Sequence, residues 1–145
     1  MPARIAVPDL GLELKKQPDL TNPAVRERLS CAAIEGVLKI AEKWNLKSEE
    51  VMALLGGISN GRYYDLKRTH KGILTQDELT RVSLLIGIFR ALNTLFHEKL
   101  ADQWISRRNS NPMFNNAPPL LRMIELGIPG MMAVRRLLES RVNGG

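Results

Sequence analysis

The longest helical repeat in the sequence sets the strongest limit on how this chain can fold. Thr75 and Glu78 have the spacing of a capping box, which marks the start of a helix. Apolar residues then recur at every third or fourth position for about six turns, at Leu79, Val82, Ile86, Phe89, Leu92 and Phe96. A stripe of this length has to be buried, and we expect it to serve both as core and as the seam between two copies.

The chain before this helix begins with a segment rich in proline. Residues 1–20 contain three prolines and are predicted to form a flexible, partly disordered N-terminal arm. Either Thr21 or Asn22 can cap a first helix, which opens at Pro23 and continues to about Asn45. Its apolar residues are three and four positions apart, so one face of this helix must pack against the rest of the chain.

Two short helices joined by glycines follow, in the stretch SEEVMALLGGISNGRYYDLKR. Ser48 is predicted to cap the first and Ser59 the second, with Gly56 and Gly57 as the turn between them. This is the layout of a helix-turn-helix, whose second helix enters the major groove of DNA. The residues predicted to contact DNA are Ser59, Asn60, Gly61, Arg62, Tyr64, Lys67 and Arg68. The pattern leaves open a second interpretation, a glycine corner in a helical bundle with a solvated basic face.

Shorter helices complete the chain. Residues 98–107 are predicted to form one helix. Pro119 opens a second helix that ends at Gly127, and Pro129 opens the last helix. No segment alternates apolar and polar residues as paired strands do. The predicted fold class is therefore all-α, with an N-terminal helix-turn-helix bundle joined by the long helix to a small helical domain.

Composition narrows the possible functions. The formal net charge of +6 favours a polyanion or an acidic partner. The single cysteine, Cys31, cannot form an intramolecular disulfide, which indicates a reducing cytoplasm, and we expect it to be packed within the first helix. We find no apolar run that could span a membrane and no pattern of catalytic, cofactor-binding or metal-binding residues. His70 and His97, far apart in the sequence, do not suggest a metal site.

The sequence from Trp104 onward, WISRRNSNPMFNNAPPLLRMIELGIPGMMAVRRLLESRVNGG, resembles the toxin-binding domain of the Xre/MbcA/ParS type II antitoxins. The matching positions are Trp104, Asn109, Asn111, Phe114, Pro119, Leu120, Gly127, Leu137 and Leu138. That family commonly places an Xre-like helix-turn-helix before this domain, and residues 44–68 are similar to that part. The resemblance covers nearly the whole chain after the arm. After the arm at 1–20, it implies an Xre-like helix-turn-helix domain at 21–74, a long connecting and dimerisation helix at 75–97, and a toxin-binding domain at 98–145.

The resemblance also implies what such a protein does. Its partner would be a RES-domain toxin that degrades NAD, whose active site the antitoxin would occlude. The helix-turn-helix would repress the shared operon by binding operator DNA, with the protein acting as a homodimer. No enzymatic activity and no cofactor are implied.

Six residues of the C-terminal half are candidate toxin contacts. They are Asn109, Asn111, Phe114, Arg135, Arg136 and Arg141. The three arginines are chosen because guanidinium groups make planar, multiple hydrogen bonds at interfaces. The two asparagines have a simpler interpretation as residues that shape a loop through their own backbone.

Two other functions stay open. The chain could be a stand-alone helix-turn-helix repressor whose C-terminal domain only dimerises or binds another ligand. It could also be an antitoxin that binds its toxin but has lost operator binding.

Overall fold

A computed structural model describes residues 18–144 of the protein, and all regular structure in that range is helical. The α-helices are α1 (Pro23–Lys43), α2 (Ser48–Leu54), α3 (Asn60–Thr69), α4 (Gln76–Leu95), α5 (Glu98–Gln103), α6 (Pro119–Leu126) and α7 (Ile128–Val142). Two short 3-10 turns, Trp104–Ser106 and Pro112–Phe114, lie between α5 and α6. The prediction of an all-α fold is confirmed. None of the helices in residues 18–144 is long and apolar enough to cross a lipid bilayer.

The helix starts follow from local capping chemistry. The Asn22 side chain accepts a hydrogen bond from the Ala24 N–H, with Pro23 at the first helical position of α1. At the start of α4, the Thr75 hydroxyl accepts from the Glu78 N–H at 3.1 Å, and the Glu78 carboxylate accepts from the Thr75 N–H at 2.9 Å. The predicted capping box is therefore confirmed, because both orphan N–H groups are satisfied reciprocally.

The start of α2 differs from the prediction by one residue. Ser48 is the first helical residue rather than the cap, and Lys47 occupies the cap position. The Glu50 carboxylate accepts from the Lys47 N–H at 2.7 Å, so an acid inside the first turn satisfies a backbone donor at the cap. This leaves the Ser48 hydroxyl facing α3, where it lies 3.3 Å from the Tyr64 hydroxyl.

The long helix α4 lies at the centre of the molecule, in contact with both α1 and α7. Its predicted stripe is buried from Leu79 to Leu92, and a second row, Leu85, Ile88 and Ala91, is buried as well. This chain covers both rows itself, so the stripe from Leu79 to Leu92 is core, while Phe96 at its end is only partly buried. The homodimer and the role of this helix as its seam stay predictions.

One apolar cluster joins the two predicted halves of the chain. It includes Val51 and Leu66 of the helix-turn-helix and Met123 and Val134 of the C-terminal helices. The boundaries predicted at 74/75 and 97/98 therefore divide the chain where helices begin and end, while the core continues across them. Of the arm predicted at 1–20, residues 1–17 lie outside the described part of the chain. Leu20, at its end, packs against the core.

Cys31 is exposed, which corrects the expectation that it is packed. Its preceding neighbour, Ser30, is buried, as is Ala33 two positions further on. Successive residues of an α-helix point about 100° apart, so a position between two buried ones can still face solvent. The apolar periodicity of α1 does not include residue 31, and this was the signal that could have placed it correctly.

Candidate nucleic-acid and partner interfaces

The turn between α2 and α3 is built from two glycines in left-handed conformations. Gly56 has φ +99° and Gly57 has φ +80°, a region that residues with a Cβ rarely adopt. The Gly57 N–H donates to the Met52 carbonyl at 2.8 Å, which closes the end of α2. The Ser59 hydroxyl then accepts from the Arg62 N–H at 3.2 Å and caps α3 as predicted.

Helix α3 has one buried face and one exposed face, as the sequence pattern predicted. Tyr63 and Leu66 are buried, and Ile58 packs against the same core. The exposed residues at the start and along the outer face are Ser59, Asn60, Gly61, Tyr64, Asp65, Lys67 and Arg68. Tyr64 is a large aromatic side chain left 50% exposed. The structure thus brings six of the seven predicted DNA contacts to one surface.

Arg62, the seventh predicted contact, is engaged elsewhere. Its Nε and Nη2 donate to the two carboxylate oxygens of Glu78 at 3.1 and 2.6 Å. The Glu78 side chain is only 8% exposed, against 36% for Arg62. The hydrogen bond to Glu78 raises the pKa of Arg62, and burial opposes this only in part. Arg62 therefore joins the first turn of α3 to the first turn of α4, and its positive charge is paired with the carboxylate of Glu78.

The other cations of α3 remain near the surface. Arg68 Nη2 lies 2.6 Å from Asp65 Oδ1, and both side chains are mostly exposed. The Lys67 ammonium lies 6.0 Å from the centre of the Tyr63 ring. Around Gly61 a shallow surface hollow of about 500 Å³ is lined by Tyr64 and by these charged side chains. No atom lies within 4 Å of the position that a Cβ on Gly61 would occupy, so the helix backbone is open to an approaching molecule there.

Arg81 links the turn to the C-terminal half, a role that the sequence pattern did not indicate. Its Nε donates to Asp77 at 2.7 Å, and Nη1 donates weakly to the Leu54 carbonyl at 3.4 Å. The same guanidinium borders Gly56, and its Nη2 lies 3.5 Å from where a Cβ on Gly127 would be. This side chain therefore packs between the helix-turn-helix turn and the corner that joins α6 to α7.

Three of the predicted toxin contacts build the fold of the C-terminal half. The Asn109 side chain accepts from the Asn111 N–H at 2.9 Å, and the Asn111 side chain accepts from the Met113 N–H at 3.0 Å. Phe114 is buried, with its ring edge-on to Trp104 and 6.0 Å between the ring centroids. The asparagines shape the loop, as their simpler interpretation held, and Phe114 fills the core beneath it.

The three predicted arginines lie on α7, where Met131, Val134 and Leu138 are buried, and the side chain of Arg135, next to this buried face, is only 20% exposed. Arg135 Nε donates to the Glu139 carboxylate at 2.9 Å, while Arg136 and Arg141 are exposed. The same half also exposes large apolar residues that the sequence analysis did not single out. They are Leu121, Leu126, Met132 and Val142.

The α6–α7 corner depends on close approach of the two helices. A Cβ on Gly130 would lie 2.7 Å from the Arg122 carbonyl oxygen and 3.0 Å from the Leu126 Cβ. Glycine at this position therefore lets the first turn of α7 rest on α6. Within residues 18–144, no three His, Cys, Asp or Glu side chains are grouped so that they could hold a metal ion.

Comparison with known proteins agrees with this architecture. Residues 20–87 match the model of the antitoxin Xre-like helix-turn-helix domain. The chain is also 31% identical over 114 residues to a protein of Sinorhizobium fredii (strain NBRC 101917 / NGR234) that carries the name uncharacterized protein y4oB. That alignment covers 78% of this chain and 86% of the relative. The matched domain includes α1 to α3 and the first half of α4, which are the elements that build and support the candidate interface. The chain belongs to the same family as this relative, and its residues 20–87 form a domain that matches the antitoxin Xre-like helix-turn-helix.

Proposed function

We propose that this protein is the antitoxin of a type II toxin-antitoxin system, which binds operator DNA through α3 and a toxin through its C-terminal half. The observation that carries the proposal is the exposed face of α3, held by a glycine turn inside a domain that matches the antitoxin helix-turn-helix. The proposed roles are binding roles, with no catalytic step in this chain. Operator DNA and an intracellular toxin also imply a cytoplasmic location.

The exposed face of α3 suits a major groove, which is about 12 Å wide and admits one helix. Its first turn carries Asn60, whose amide can pair with adenine, and Gly61, which allows the backbone to approach closely. Its last turn carries Lys67 and Arg68, which can neutralise phosphates. In this proposal Arg62 acts indirectly, because it holds α3 at a fixed angle instead of contacting DNA. A homodimer would place two such helices on the two halves of a symmetric operator.

The proposed toxin is a RES-domain protein that degrades NAD, as the family resemblance implies, with its active site occluded by the antitoxin. From residue 106 to the end, the chain carries six arginines against two acidic residues. Two of these arginines, Arg136 and Arg141, are exposed on α7, and Leu126 and Met132 add exposed apolar surface to the same half. Cationic and apolar side chains together suit a partner whose surface has acidic groups around an apolar centre. We assign Asn109, Asn111 and Phe114 to the shape of this half.

DNA binding is tested by fluorescence anisotropy with a duplex from the region upstream of the gene, over a range of salt concentrations. The Lys67→Ala/Arg68→Ala variant should weaken binding and flatten the log–log salt dependence by about one to two units. The matched control is Arg107→Ala/Arg108→Ala, which removes two exposed positive charges from the C-terminal half and should leave the slope unchanged. Equal slopes for the α3 variant and the wild type would show that α3 is not the helix that meets DNA.

Toxin binding is tested by co-expression with the neighbouring open reading frame. Rescue of growth together with co-purification is the expected result. If both proteins are well expressed but growth is not rescued and the two do not co-purify, the antitoxin assignment is contradicted. Deleting residues 140–145, or reversing one charge with Arg136→Glu, should reduce neutralisation if α7 contacts the toxin. Undiminished neutralisation by both variants would remove the end of α7 from the interface.

The stand-alone repressor is the second candidate function, and the same two experiments separate it from the first. It predicts operator binding with the expected salt dependence, but no rescue and no co-purification. A chain that only binds toxin predicts the reverse pattern.

A further inference from the structure

The exposed face of α3 contains one feature that simple attraction to DNA does not explain. Asp65 is the only acidic residue of this helix, and it lies in the middle of the exposed face, one turn after Gly61 and one turn before Arg68. A carboxylate in that position is repelled by phosphates, so it lowers affinity for DNA of any sequence. Its presence at the centre of a cationic face requires a compensating partner.

In the free protein that partner is Arg68. The two side chains are joined at 2.6 Å, with 60% of the Asp65 side chain and 74% of the Arg68 side chain exposed. Ion pairs exposed to this degree contribute only about 0.2–1 kcal/mol. The pair therefore holds the two groups beside each other on the helix surface, yet either group can exchange its partner readily for a group of the DNA.

The hydrogen-bonding capacities of the pair match a G·C base pair best, because guanine alone offers two adjacent acceptors to one guanidinium. An ionised carboxylate only accepts hydrogen bonds, and a guanidinium only donates them. In the major groove, cytosine presents an amino donor, and guanine presents two acceptors, O6 and N7. A G·C pair thus offers side by side what Asp65 and Arg68 each need, whereas the phosphate backbone offers acceptors to Arg68 and repulsion to Asp65.

We propose that Asp65 is a specificity-determining residue, which together with Arg68 selects G·C in the operator and disfavours DNA of other sequence. This inference rests on the DNA binding proposed above. On a matching operator the cytosine amino group donates to Asp65 and Arg68 donates to guanine, so both charges are satisfied. On an A·T pair the adenine amino group can still donate to Asp65, but Arg68 no longer finds the paired acceptors O6 and N7 of guanine, so binding is weaker.

The test is selection from a random duplex library, followed by affinity measurements on the selected site and on a random-sequence duplex. The wild type should enrich G·C at one position of each half-site by roughly tenfold or more, which is the range of a good direct contact. Asp65→Asn should lose the preference at that position alone and bind the random duplex about threefold to tenfold more tightly, because one repulsive charge is gone. Since the Asp65 side chain is exposed, the unfolding temperature of the Asp65→Asn variant should equal that of the wild type.

The control is Glu125→Gln, which removes one exposed negative charge from α6. It should leave the base preference intact, so that a general gain in positive charge is separated from a role at Asp65. An Asp65→Asn variant that keeps the wild-type preference at every position overturns the inference while leaving operator binding established. A wild type that binds no DNA overturns the proposed function itself, and this inference with it.

Discussion

Replacing Arg62 with methionine should destabilise the whole protein, although the sequence alone suggested a surface residue for DNA. The variant leaves the carboxylate of Glu78, a side chain only 8% exposed, with the Thr75 N–H as its remaining partner. Removing one member of a fully buried ion pair costs about 3–5 kcal/mol. The Arg62 side chain is 36% exposed, so water screens part of this interaction, and about 2–3 kcal/mol is the expected loss. For a chain of this length that lowers Tm by roughly 6–10 °C.

Thermal and urea unfolding followed by circular dichroism measure this loss, and a second substitution identifies its cause. Glu78→Gln can still accept from the Thr75 N–H but carries no charge, so Arg62→Met/Glu78→Gln should recover about 1–2 kcal/mol relative to Arg62→Met alone. Because the pKa of Arg62 is raised from an already alkaline value, the guanidinium stays charged through the neutral range, and on the alkaline side its contribution is lost only in strong alkali. Arg62→Met should also retain the wild-type salt slope for DNA binding. An unchanged Tm, or a slope flattened as in Lys67→Ala/Arg68→Ala, would refute the conclusion that Arg62 positions α3.

Three further substitutions test single packing or backbone features. Gly61→Ala should raise the free energy of unfolding by about 0.5–1 kcal/mol, since nothing crowds the position of the added methyl group. It should also weaken operator binding by roughly tenfold, because the methyl group would keep the backbone away from the DNA. Equal affinity of the variant and the wild type would contradict the close approach. Gly130→Ala should instead lower stability by about 1–3 kcal/mol, because the new methyl group meets the Arg122 carbonyl oxygen, and an unchanged Tm would show that the corner can open. Ser30→Ala removes the hydroxyl that accepts a hydrogen bond from the buried Leu74 N–H at 2.8 Å. It should lower the free energy of unfolding measured in urea by about 1–3 kcal/mol. An unchanged free energy would mean that a water molecule takes the place of the hydroxyl.

The parts of the fold that the sequence predicted are those decided within one turn of helix. The caps at Asn22, Ser59 and Thr75 depend on a side chain two or three positions from the N–H that it satisfies. The two faces of α3 likewise follow from periodicity alone. Lys47 was missed as a cap because its own side chain does not act as one, and the backbone donor is satisfied by Glu50 from inside the helix.

The parts that the sequence did not predict depend on contacts between distant elements. Glu78 was recognised as half of a capping box, but its second role, to hold Arg62 across sixteen positions, has no local signal. Arg81 behaves in the same way, since its partners lie in α2 and near the corner before α7. The apolar stripe of α4 was recognised as buried, but periodicity cannot tell whether the chain or a second copy covers it.

The central position of α4 has a consequence for the lifetime of the protein in a cell. Both halves of the chain pack against α4. A local unfolding event that detaches α7 therefore also exposes part of the helix against which α1 packs. A protease that catches such an opening would end both of the proposed binding activities in one event. If the protein is the proposed antitoxin, release of the toxin and induction of fresh synthesis would then be timed by a single degradation step.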